Sequence, residues 1–138
     1  MWPVTSSAPS RLLHATVVAG DLARSLAFYD AALGPLGIRR HSEFPDEEED
    51  AASADAVAYA ASGQEPILWV VTGPHPTRGL HLALRAADRT EVERFWTAGS
   101  GYGTGRRAPR RWAIYRDGYY GAILADPDGN LVEAAARE

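Results

Sequence analysis

The chain contains no cysteine, which excludes disulfides and thiolate chemistry and leaves any metal to histidine, carboxylate, amide or water. It has no long apolar run of the kind that crosses a bilayer. Its first residues, MWPVTSSAPSRLL, lack the basic start and apolar stretch of a signal peptide, so residues 1–11 are expected to be a disordered lead-in and the protein cytoplasmic. An excess of positive charge is also missing. Fourteen basic against eighteen acidic residues give a formal net charge of −4, which argues against a nucleic-acid partner. The glycine-rich segment GSGYGTGRRAPRR (99–111) lacks the Lys-Ser/Thr ending of a phosphate loop, and no helical pattern follows it, so it reads as a flexible loop. What remains is an ordinary globular composition, 138 residues with 46% hydrophobic, enough for one domain with its own core over residues 12–138.

That domain repeats itself once. HATVVAGDLARSLAFY starts at His14 and HLALRAADRTEVERFW at His81. His14 and His81, Asp21 and Asp88, and Phe28 and Phe95 all stand at one offset of 67 residues. Two copies suggest a pseudo-twofold domain rather than a solenoid, and they carry matched residues to symmetry-related places.

Each copy reads as a strand, a helix and then two or three strands. Residues 12–18 alternate and are rich in β-branched types, with His14 on the face of Leu12, Thr16 and Val18. Asp21 caps a helix whose stripe is Leu22, Leu26, Tyr29 and Leu33, ended by Gly34-Pro35. The run DEEED at 46–50 reads as a solvated loop. Strands are expected at 55–61 and 66–72, closing a first module of about 12–72. The second module, about 80–135, opens with strand 80–85. Asp88 then caps a helix, with Glu91 as capping-box partner and Val92, Phe95 and Trp96 as its buried stripe. Strands at about 112–116 and 118–125, the turn Asp126-Pro127-Asp128-Gly129-Asn130 and a last strand at 131–135 complete it. The fold class expected is α+β: two βαβββ modules, each burying one sheet face against a helix and leaving the other free to curve into a cup.

His14 and His81 occupy matched places on the first strand of each module. Glu133 lies in the apolar strand LVEAA, where a carboxylate has little reason to stand without a partner. Two histidines and one carboxylate suit a divalent ion with open positions. His41 and His75, in acidic or breaker-rich surroundings, are not counted as ligands. Trp69, Trp112, Tyr115, Tyr119 and Tyr120 are candidates for lining a cup. Arg106, Arg107, Arg110 and Arg111 are candidates for an anion-gripping lid, and Arg110 and Arg111 are taken forward with Trp69, Tyr119 and Tyr120 as substrate-binding candidates.

The segments LHATVVAGDLARSLAFYDAALGPLG (12–37), GLHLALRA (79–86) and YYGAILADPDGNLVEA (119–134) resemble the vicinal oxygen chelate superfamily, which includes glyoxalase I, fosfomycin-resistance transferases, extradiol dioxygenases and bleomycin-resistance proteins. The resemblance covers about residues 12–135, and its most specific part is the DPDGN turn followed closely by Glu133. It implies an open eight-stranded mixed-sheet cup with helices outside, metal ligands at His14, His81 and Glu133, and a homodimer. It also implies one divalent ion (Fe, Mn, Zn, Ni or Co). The expected function is a metal-dependent lyase, isomerase, dioxygenase or transferase acting on a small oxygenated substrate, with Glu133 also able to shuttle a proton. The alternative is a metal-independent drug-sequestering protein of the bleomycin-resistance type. Glyoxalase I-like members place a fourth ligand in the last strand of the first module. Here that strand, PILWVV (66–71), has none, and Gln64 and Glu65 before it are assigned to the turn.

Overall fold

A computed structural model describes residues 11–44, 55–114 and 117–138. Residues 1–10 of the expected lead-in, the acidic run 46–50 and Tyr115 lie outside the described residues. The first module comprises β1 (Ala15–Ala19), α1 (Leu22–Leu33), a 3-10 turn (Gly34–Leu36), β2 (Ile38–Phe44), β3 (Ala56–Ala61) and β4 (Leu68–Thr72). The second comprises β5 (His81–Arg85), α2 (Arg89–Gly99), β6 (Thr104–Arg111), β7 (Tyr119–Ala125) and β8 (Leu131–Arg137).

The two sheets have the same topology. Their orders are β1-β4-β3-β2 and β5-β8-β7-β6. β1 runs parallel to β4 and β5 parallel to β8, while every other pairing is antiparallel. The sheets are therefore mixed, and β1 and β5 each end a sheet. Both helices start where the repeat places a carboxylate. Asp21 accepts from Arg24 N at 3.1 Å and Asp88 from Glu91 N at 2.9 Å. Glu91 reaches back to Ala87 N at 2.9 Å, one residue before the cap itself.

One face of each sheet is sealed by a helix. Val17, Val57, Tyr59, Leu68 and Val70 in the first sheet, and Tyr120, Ala122, Leu124, Val132, Ala134 and Ala136 in the second, share a core with Phe28, Tyr29, Val92 and Phe95. Alternation along the strands leaves the other face of each sheet open. The helices meet closely at Gly99, where an added Cβ would overlap Leu124 Cδ1 and lie 3.0 Å from Ala32 Cβ.

The DPDGN turn fastens the modules together. Tyr29 of α1 donates its hydroxyl to Asp126 Oδ2 at 2.6 Å. Asp126 Oδ1 accepts from the backbone N–H groups of Asp128 and Asn130, both at 2.9 Å. Asn130 Nδ2 donates to Thr77 O at 2.8 Å, and Asp128 accepts from Gly20 N at 3.1 Å. Burial, and then the Asp126 carboxylate, push the Tyr29 hydroxyl far above its ordinary pKa, so it stays a donor at any working pH. The sequence signal read as a turn is also the clasp between the two halves.

Two expectations need correction, and one strand lay outside them. Residues 99–111 are not a flexible loop: Thr104–Arg111 is β6, an edge strand on β7. Edge strands tolerate charge and proline because one side bonds to nothing in the sheet, and β6 carries four arginines and Pro109. Of the strand expected at 112–116, the described residues 112–114 are not a strand: Trp112 N donates to Tyr119 O at 2.8 Å, and residues 113–114 form a turn. Residues 38–44, unread as a strand, form β2, the edge of the first sheet; IRRHSEF hides it by alternating weakly.

Candidate metal and substrate site

Cross-strand partners share a face, so the register fixes which side chains stand on the open face of the second sheet. Ala83 pairs with Glu133, Ile123 with Glu133, Arg107 with Ile123 and Arg110 with Gly121. By alternation the open face carries His81, Ala83 and Arg85 from β5, Leu131, Glu133, Ala135 and Arg137 from β8, Tyr119, Gly121, Ile123 and Ala125 from β7, and Thr104, Arg107 and Arg110 from β6.

Glu133 is the centre of this face. It is 4% exposed, and both carboxylate oxygens are engaged. His81 Nε2 lies 2.8 Å from Oε1, and the Tyr119 hydroxyl donates to Oε2. Gly121 makes room for that crossing, since a Cβ there would stand 3.3 Å from the Tyr119 ring and 3.4 Å from Glu133 Oε2. The carboxylate in an apolar strand therefore has the partner that its position demanded. A cleft of about 530 Å³ opens beside His81, lined by Gly105, Arg106, Arg107, Ile123 and Leu131.

The open face of the first sheet is different. His14 immediately precedes β1 and meets Trp69 edge-on at 6.3 Å. Phe44 packs on the same indole at 5.7 Å. Leu13, His14, Glu65, Pro66 and Trp69 line a cleft of about 360 Å³. Glu65, set aside as a turn residue, thus stands in the same cleft as His14. Phe44 and Glu65 were missed because neither lies in a recognisable strand pattern. Among the described residues no three histidine or carboxylate side chains of one chain form a metal-sized group. His81 and Glu133 are brought together, and His14 is not grouped with them.

The remaining candidates divide by face. Trp69, Arg110 and Tyr119 stand on open faces. The Arg110 guanidinium lies 3.8 Å over the Trp112 ring, and Trp112 Nε1 donates to Gly121 O at 3.1 Å. Arg111 and Tyr120 pair with each other across β6 and β7 and belong to the helix-facing side. Arg111 is ion-paired to Glu138 at 2.8 Å, and Tyr120 is buried under Arg89 with its hydroxyl 3.4 Å from Glu93. His41 bonds Ser42 on β2, and His75 is exposed in the connector between the modules.

Fit to a divalent ion can be judged from the donors. Two ligands each about 2.1 Å from one ion and at right angles are about 3 Å apart, and His81 Nε2 and Glu133 Oε1 are 2.8 Å apart. The imidazole–carboxylate pair is a donor set suited to first-row divalent metals. Tyr119 supplies the kind of outer hydrogen bond that orients a ligating carboxylate.

Comparison with known proteins bears on the whole chain. The family model described as Glyoxalase/Bleomycin resistance protein/Dioxygenase superfamily matches residues 11–134. Among solved structures, the chain is similar to a glyoxalase/bleomycin resistance protein from Albidiferax ferrireducens T118, with 27% identity and a TM-score of 0.67, covering 94% of this chain and 100% of that one. It is also similar to a lactoylglutathione lyase from Agrobacterium tumefaciens (22% identity, 93% and 94% covered, TM-score 0.62). A genomically encoded fosfomycin resistance protein, FosX, from Listeria monocytogenes shares the fold at 15% identity, 95% and 96% covered, TM-score 0.62. No curated protein sequence matches the chain. No helix among the described residues is long and apolar enough to cross a membrane.

Proposed function

Because this chain belongs to the Glyoxalase/Bleomycin resistance protein/Dioxygenase superfamily, we propose that it is a divalent-metal-dependent enzyme acting on a small oxygenated substrate. The observation that carries the reading is the pair of His81 and Glu133, a buried carboxylate and an imidazole 2.8 Å apart on an open sheet face beside a cleft. These residues, with His14, would hold the ion. When bound, the ion would supply Lewis acidity, polarising a substrate oxygen and stabilising the negative charge that develops there.

The chain's own groups supply the rest. Glu133 accepts a proton, and Tyr119, hydrogen-bonded to Oε2, fixes which lone pairs stay available. Trp69 on the first sheet and Arg110 on the second face the substrate. Arg111 and Tyr120 act behind the sheet, holding β6 and β7 to α2 and Glu138.

His14 reaches the site, in this reading, from a second copy. β1 and β5 both end their sheets, and Leu12 and Leu13 beside His14 are 70% and 77% exposed. A homodimer that lays one chain's β1 end against the other's β5 edge covers those leucines and completes a three-ligand set. Light scattering at micromolar concentration is expected to give about twice the chain mass of 14.9 kDa. The decisive experiment is complementation. His14→Ala and His81→Ala are each expected to lose metal binding, and mixing and refolding them is expected to restore one intact site per heterodimer. No recovery on mixing sinks the shared site, and undiminished metal binding in His81→Ala sinks the metal reading itself.

The Trp69–Phe44 pair keeps a second reading in view, a drug-sequestering protein with an aromatic wall. Elemental analysis of the purified protein, followed by turnover assays across candidate ions, separates the two.

A further inference from the structure

Among the described residues, the strands of the second sheet's open face carry four arginines, Arg85, Arg107, Arg110 and Arg137, and one carboxylate, Glu133. This concentration stands in a chain with a net charge of −4. The chain has no lysine, so all of its basic side chains are guanidinium groups, which grip oxyanions through paired, directional hydrogen bonds.

Position singles out one of the four. Arg107 and Glu133 stand opposite the same residue, Ile123, from the two flanking strands. Strand spacing puts their Cα atoms about 10 Å apart. An arginine side chain crosses much of that gap and leaves room for one small group between guanidinium and carboxylate. The cleft there measures about 530 Å³ and is walled by Arg106 and Arg107 on one side and by His81 on the other. That volume lies within the range of small-molecule sites. Among the described residues neither Arg106 nor Arg107 has an ion-pair partner, whereas Arg111 is held by Glu138 and Arg110 lies on Trp112. The bulge between Gly105 and Arg107 produces this display, because it shifts the register and turns Arg107 to the open face.

We infer that this cleft takes a small oxyacid: Arg107, assisted by Arg106, holds a carboxylate or phosphoryl-type oxyanion, while the molecule's remaining oxygens face His81 and Glu133. The second half of this assignment rests on the metal-site reading above; the anion contact does not. The low polarity of the flanking Ile123 and Leu131 keeps the arginine charge less screened than on a flat surface.

The test uses two probes, inorganic phosphate and glycolate, with ethylene glycol as the neutral control. Each is titrated into the full chain by isotope-edited NMR, with and without added Mn²⁺ and at two salt concentrations. Both anions are expected to bind the wild type and to weaken by about tenfold or more in Arg107→Gln. Binding in Arg94→Gln, on the exposed side of α2, is expected to stay the same. Tighter glycolate than phosphate identifies a hydroxycarboxylate substrate class, and the reverse identifies a phosphoryl or phosphonyl one. Equal anion affinity in wild type and Arg107→Gln, or no anion binding by the wild type, overturns the inference even if Mn²⁺ binds. Arg107-dependent anion binding without any Mn²⁺ binding leaves the anion contact standing and removes the metal-site reading and the half of the assignment that rests on it. Unchanged amide spectra away from β6 verify that each variant is folded.

Discussion

The two modules share one strand order and one helix placement, yet they present different chemistries on their open faces. In the first sheet that face carries Thr16, Val18, Trp69, Val71 and Ala56, Ala58 and Ala60 of β3, with Arg39, Ser42 and Phe44 on the edge strand and His14 just before β1. In the second it is a histidine, a buried glutamate and a set of arginines. The repeat fixes the framework while the side chains on it differ: the first face is mainly apolar and aromatic, and the second carries a buried carboxylate and more arginines. A ligand spanning both would need an apolar body and an oxygen-rich, anionic end.

The largest effect should come from removing the carboxylate that distinguishes the halves. Glu133→Gln is expected to weaken divalent-ion binding by on the order of 100-fold or more, since even outer partners of metal ligands contribute about 10–100-fold. Glu65→Gln, which alters the carboxylate in the first module's cleft, is expected to leave the affinity nearly unchanged. Calorimetric titration of both variants decides it. A large loss in Glu65→Gln would mean that the first module carries an ionic role after all. Tyr119→Phe falls between them, with about a tenfold loss, because it frees Oε2 without removing a donor atom.

The clasp tests whether the halves depend on each other. Tyr29→Phe deletes a buried hydrogen bond to a carboxylate, worth about 2 kcal/mol, and should lower the melting temperature by several degrees. Asp126 would retain Asn130 Nδ2 at 3.0 Å on the same oxygen, which limits the damage. A melting temperature within error of wild type would mean that the Tyr29–Asp126 bond contributes nothing to joining the modules, leaving that to helix packing and the Gly20–Asp128 contact.

How far the sequence exposed this arrangement depends on what each residue had to satisfy. The 67-residue offset made both helices legible, because Asp21 and Asp88 cap them in the same way. Glu133 stood out because an ionised group in an apolar strand must have partners, and it has two. β2 and β6 were illegible for a common reason: both are edge strands, paired on one side and exposed, so neither needs an apolar alternation. Misreading β6 as a loop also hid which arginines face which way. Only the bulges at Gly105–Arg107 and Arg107–Arg110 separate Arg107 and Arg110 from Arg111, and spacing alone does not reveal a bulge. His14 illustrates a different limit. The repeat matched it to His81, but matching positions does not say whether the two meet within one chain or between two.

Surface ion pairs should separate the halves least. In the first module Arg40 bridges Asp30 and Glu43 at 2.8 and 2.6 Å. All three groups are solvated, so Arg40→Ala is expected to cost about 1 kcal/mol or less. Its counterpart in the second module is Glu138, which joins Arg89 of α2 to Arg111 of β6. Slight desolvation raises the Glu138 pKa, but the hydrogen bonds and charges of Arg89 and Arg111 outweigh it and hold the carboxyl below its ordinary value of 4.5. A depressed folded pKa means that the stabilisation is complete above the ordinary carboxylate range and disappears as pH falls through the lower folded value. Glu138→Gln should therefore melt slightly earlier than wild type at pH 7, and the two should converge in the acid region below the folded value. Because its partners Arg89 and Arg111 are exposed, the gap at pH 7 should be smaller than that of Tyr29→Phe and should shrink in high salt. A gap that persists at low pH would show that Glu138 acts through packing rather than charge.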